Sequence, residues 1–368
     1  MSRDSQTAVV ALGLFVTLAT VVALAPVNYV ARWPGTALEL SGSQAGNTVI
    51  DLEGPAQYPS TGSFWAATIG QTPVDGKLGL FPAIVHRLWG DDAVLRRDDV
   101  YSSGATAEDV AQAQRASQAE AGEDAIVAAL RELEQTAGSG PDSLVQAYVM
   151  VADVSSGGPS DGRLLPGDRL VMIGQQPVAT VAQALREIRL ERDVGTVLQV
   201  TVKRDGEEII QSVELAKSDL NVPTMGVTWE QRYDYGAFAH IDLDLAPGAG
   251  ESVGLPLALA LYDRLSAGDL TNGRRVAAAG TIELIDQPPA TVGQPLAAGP
   301  VAWIGTVAGL RQRVLAARQQ GATLFLLSVD DCSEVVGWDP GLELVPVGSF
   351  HQAVEVLAAG ESGELPHC

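Results

Sequence analysis

The stretch GAGESVGLPLALALYD, residues 248–263, sets one hydroxyl, Ser252, among Gly248, Ala249, Gly250 and Gly254, then runs on into apolar residues. Small residues around a serine let backbone N–H groups approach a reacting carbonyl, as an oxyanion hole requires. They equally let a helix start tight against a strand, which is packing alone. A serine hydroxyl is a weak nucleophile and needs an adjacent base. Lysine can serve when burial pulls its pKa toward neutrality. The three lysines, Lys77, Lys203 and Lys217, all precede the serine. His240, on the predicted strand FAHIDLDL, is the histidine nearest Ser252 in sequence; an ordinary strand histidine is the alternative. Asp242 and Asp244 alternate on that strand and are expected to face solvent.

The other chemistry-bearing residues do not cluster. His86, His240, His351 and His367 show no ligand spacing with cysteines or carboxylates, so no metal is implied. Glycine-rich stretches lack the following Lys-Ser/Thr of a phosphate loop, and no cofactor is expected. A formal charge of −22 argues against nucleic acid as a partner. Cys332 and Cys368 can pair in an oxidising compartment and tie the C-terminus back to the last domain.

The elements that must position Ser252 lie in a chain of 368 residues, long enough for two or three domains. From Gln6 to Ala31 there is no charge, and the run is almost wholly apolar. Residues 7–31 read as a transmembrane anchor, with 1–6 cytoplasmic and the bulk of the chain on the outer face of a cell membrane. A cleaved signal peptide, ending near Ala23-Leu24-Ala25, is the alternative. Residues 36–140 read as short strands followed by one or two helices, with Thr106 as an N-cap. Residues 144–216 order strand, Gly/Pro loop, short strand, helix and a hairpin turning at Arg204-Asp205-Gly206. Residues 222–360 alternate strands and helices in an α/β or α+β pattern.

Two families are resembled. LLPGDRLVMIGQQPV is similar to the bacterial type of PDZ domain, through Leu165, Gly167, Asp168, Leu170, Gly174 and Val178. That resemblance implies a groove between a sheet edge and a helix in which an extended peptide adds as a strand. The glycine loop that cradles a peptide carboxylate in that family should precede Tyr148, and GPDSLVQ does not match it. GESVGL, GDLTNGRRVAAAGTI and QQGATLFLL resemble the peptidase domain of the Lon family, in which a serine works with a downstream lysine. Glu251 and Val253 replace that family's Pro and Ala beside Ser252. The alignment places Arg313, in VAGLRQRVLAAR, where the lysine belongs. A guanidinium stays protonated wherever it is placed, so Arg313 is no general base. QPPATVGQPLAAGPVAW replaces a short turn of the family pattern.

The layout resembles membrane-anchored, secreted PDZ–Lon-like proteins of bacteria. It implies an α/β and α+β multidomain chain: transmembrane helix, small β/helical segment, PDZ domain and Lon-type peptidase domain. The expected function is peptide or protein binding by a peptidase homologue that no longer cleaves. An active, ATP-independent serine endopeptidase using Ser252 with another base, and a structural envelope protein, are the alternatives. A homo-oligomer is compatible with the resemblance.

Overall fold

A computed structural model describes residues 3–41, 43–44, 47–53, 56–88, 92–137, 144–189, 193–218, 222–238, 241–245, 250–285, 301–360 and 365–368. The chain divides into two compact units. One draws on Met1–Leu133, Ile241–Ile285 and Val301–Cys368, and the described part of the other lies within Glu134–His240.

The first unit opens with helix α1 (Arg3–Leu24). Pro26 lacks an N–H and disfavours helical geometry at the residue before it, so the helix stops at Leu24. The chain then turns extended, in Pro26–Val27 and in β1 (Tyr29–Glu39). This corrects the expectation of a transmembrane anchor over 7–31. The apolar run is divided between a helix and a sheet, with Val30 and Ala31 fully buried in β1. Among the described residues no helix is long and apolar enough to cross a membrane. Leu12, Leu14, Phe15 and Leu18 of α1 are exposed.

β1 lies between β2 (Ser63–Gln71) and, further along the chain, β3 (Ala93–Arg96), antiparallel to both. Helix α2 (Leu80–Leu88) precedes β3. Helix α3 (Ala107–Ala137) is capped reciprocally: Asp109 N donates to Thr106 Oγ1 at 3.2 Å and Thr106 N to the Asp109 carboxylate at 2.9 Å. It runs unbroken through Gly122, where a Cβ would stand 3.0 Å from Leu243, so close packing accounts for the glycine.

The second unit is an antiparallel sheet with one helix. Its elements are β4 (Gln146–Val154), β5 (Arg169–Ile173), α4 (Val181–Arg189), β6 (Val197–Arg204), β7 (Glu207–Glu214) and β8 (Val227–Asp234). The strand order is β7-β6-β5-β4-β8. Asp205 and Gly206 both take positive φ, 51° and 90°, as a tight two-residue hairpin requires. Alternate residues Val149 and Val151, and Val200 and Val202, meet Ala184 and Ile188 of α4 in one apolar cluster.

The chain then returns to the first unit. Helix α5 (Gly254–Leu265) leads to β9 (Arg275–Ala278), β10 (Thr281–Ile285) and β11 (Val301–Gly305). Helix α6 (Leu310–Gln319), β12 (Leu324–Ser328), β13 (Glu343–Val347) and helix α7 (Phe350–Ala358) follow. One sheet runs β13-β12-β9-β2-β1-β3, parallel from β13 to β2 and antiparallel beyond. Strands from the two ends of the sequence therefore share this sheet. Every residue of β12 is buried, as parallel central strands covered on both faces are.

Candidate functional site

Ser252 lies in a single 3-10 turn, Glu251–Val253, that feeds directly into α5. Gly250 before it has φ 68° and ψ −168°, a conformation that disfavours a side chain. The turn is fastened to the end of β9: Gly280 N donates to Ser252 O at 3.2 Å, and Leu255 N to Gly280 O at 3.0 Å. The glycines serve this approach. A Cβ on Gly280 would sit 2.7 Å from Ile304 Cγ2, and one on Gly254 would sit 3.0 Å from Ile282 N. Ser252 itself is only 2% exposed.

Arg313 projects from α6 and is 8% exposed. Its Nη1 donates to Ala67 O on β2 at 2.7 Å, and its Nε to Ala308 O at 3.1 Å. Burial, then the like charge of Arg32, pull its pKa down to about 10, against the opposing charges of Glu251 and Asp331. At neutral pH the guanidinium stays protonated. The field of Glu251, next to Ser252, reaches Arg313, so the serine turn and α6 share one electrostatic neighbourhood.

Asp331, 4% exposed, completes it and carried no signal in the sequence. Its carboxylate accepts from Val307 N at 3.1 Å. Burial and then, after that hydrogen bond's opposing pull, the charges of Glu334 and Asp330 raise its pKa to about 6. Cys332, beside it, is disulfide-bonded to Cys368. Asp242 and Asp244 are exposed. His240 and most of the QPPATVGQPLAAGPVAW stretch lie outside the described residues.

The second unit presents a different kind of site. Gly167 (φ 95°) turns the chain into β5, and its N–H donates to Val151 O at 2.8 Å. Asp168, 1% exposed, takes Arg204 bidentately, with both N–O distances 2.7 Å, and also accepts from Leu165 N at 2.9 Å. Burial alone would raise the Asp168 pKa; the Arg204 and Leu165 hydrogen bonds hold it below the usual carboxylate value.

β8 pairs with β4 from Val227–Val154 to Asp234–Gln146 and, among the described residues, is the outermost strand on that side. Val227 and Trp229 pack with Val181 of α4 against the unit's core. Gln231, two residues on along the same face, reaches α4. Its Oε1 accepts from Val181 N at 3.0 Å, and its Nε2 donates to Tyr148 O at 2.9 Å and Ala179 O at 3.1 Å. Met225 is buried and Gly226 has φ 66°, so a tight turn opens this strand. Among the described residues, the sheet edge beside α4 thus belongs to a strand that follows the helix in sequence. The sequence reading ended the PDZ-like stretch at residue 216, which left this strand outside it.

The model of the PDZ domain family matches residues 125–215. The chain contains a PDZ domain. The edge strand beside α4, β8, lies beyond the matched stretch. Among solved structures, the PDZ domain of an SdrC-like protein of Listeria monocytogenes is similar at 20% identity, covering 22% of this chain and 85% of that one, with a TM-score of 0.21. The PDZ domain of an SdrC-like protein of Listeria innocua is 20% identical over 24% of this chain and 99% of that one, with a TM-score of 0.22. A Geobacillus thermodenitrificans protein solved in solution is 32% identical over 22% of this chain and 94% of that one, with a TM-score of 0.21. No curated protein matches the chain.

Proposed function

We propose that this protein binds peptide or protein segments through its PDZ domain, and that its first unit is a Lon-like peptidase homologue that does not cleave. The observation that carries the second part is Arg313. At the position where the resemblance calls for a base, a buried guanidinium is spent on two carbonyl oxygens and stays charged. The binding part is supported by the outer edge of β8 beside α4, where an extended segment can add as a further strand. An extracytoplasmic location is part of the same reading, and the Cys332–Cys368 disulfide supports it.

Fluorescein-labelled casein, an unfolded substrate, tests both parts at once when mixed with the full chain. Casein anisotropy should rise while its length on a denaturing gel stays unchanged. Casein fragments that disappear in Ser252→Ala would overturn the proposal, as would an anisotropy that never changes.

A further inference from the structure

Two cavities of the first unit adjoin each other. One, of about 420 Å³, is walled by Arg87, Asp92, Val94, Arg311, Gln312 and Trp338. The other, of about 400 Å³, is walled by Val27, Tyr29, Ala83, Ile84 and Leu88, and again by Arg87 and Val94. A polar cavity and an apolar one therefore share two wall residues, one of them a guanidinium.

Among the described residues, no carboxylate pairs with the arginines at this junction. Arg87 is exposed and, among the described residues, makes no hydrogen bond or ion pair. Arg311 donates through Nε to Glu334 O at 2.8 Å, and its guanidinium stands 5.2 Å from the centre of the Trp338 ring. That arrangement fixes the plane of the guanidinium and leaves its two Nη groups without a protein acceptor among the described residues. The carboxylate on the same wall, Asp92, is engaged by His86 Nδ1 at 2.6 Å. Arg87 and Arg311 both line the polar cavity. A planar guanidinium fork suits a carboxylate taken bidentately. Beyond it, Ile84 and Leu88 leave much of their apolar surface to solvent, at 44% and 70% exposure.

We infer that this junction is a binding site for a single-chain amphiphilic anion, a long-chain fatty carboxylate. Its head group lies between Arg87 and Arg311, and its chain lies in the cavity of Val27, Tyr29, Ala83, Ile84 and Leu88. None of the residues named for this site belongs to the serine turn or to the PDZ domain.

Calorimetric titration of the full chain with decanoate, kept below its micelle concentration, tests this. Decanoate should bind saturably, at least about tenfold more tightly than acetate or decanol, because each of those lacks one half of the ligand. Shortening the chain should weaken binding by roughly two- to fourfold per methylene. Arg87→Gln and Ile84→Glu, both at exposed positions, should each weaken it by about tenfold with an unchanged circular dichroism spectrum. Decanol binding as tightly as decanoate, acetate binding as tightly, or no saturable binding of decanoate would each overturn the inference.

Discussion

The Arg313 guanidinium donates to the main-chain oxygen of Ala67 at 2.7 Å, joining α6 to the centre of the six-stranded sheet. A side chain that holds a buried carbonyl is structural whatever else it does. Arg313→Met keeps most of the apolar stem and leaves Ala67 O and Ala308 O without their donor. Unfolding by urea should show a loss of about 1.5–3 kcal/mol.

Asp168 and Arg204 make the corresponding link in the PDZ domain. Because the folded pKa of Asp168 is depressed, its contribution is present above the unfolded carboxylate pKa and is lost as pH falls through the folded value. Asp168→Asn should cost about 2–4 kcal/mol at neutral pH and less in acid, read from urea unfolding at several pH values. A cost that does not change with pH would show that the charge is not what matters.

His351 behaves in the opposite sense. A hydrogen bond to buried Glu132, at 2.8 Å, and then the charges of Glu132 and Glu355, raise its pKa against the effect of burial. Its stabilisation is therefore full below the unfolded histidine pKa and is lost as pH rises through the folded one. Melting temperature should fall from mildly acid to alkaline pH in the wild type, and fall less in His351→Gln. Equal slopes would contradict the assignment.

The disulfide closes a loop between Cys332 and Cys368, 36 positions apart. Cys368→Ser should lower stability by about 3–4 kcal/mol in the chain-entropy model, measured by urea unfolding without reductant. Adding reductant to the wild type should reproduce that loss and leave the variant unchanged.

What could be read in the sequence follows the range of the interactions. The turn at Gly167-Asp168 is local, and it located the PDZ domain. The pairing of β8 with β4 joins strands on opposite sides of the domain in sequence, and no local pattern announces it. The same holds for the larger sheet, in which β2 lies between β1 and β9. Hydropathy overreached at the N-terminus, because an apolar run reads alike whether it continues as helix or, past Pro26, enters a sheet. Family likeness singled out Arg313, but its partners could not be foreseen. Ala67 and Ala308 act through main-chain oxygens, which every residue carries.

The claim that this protein binds without cleaving rests on Arg313 standing where the resemblance calls for a base. The most direct measurement is fluorogenic casein hydrolysis by purified wild type and Ser252→Ala, side by side, from mildly acid to alkaline pH. The account predicts the same background rate for both at every pH. A wild-type rate above background that Ser252→Ala abolishes would contradict it.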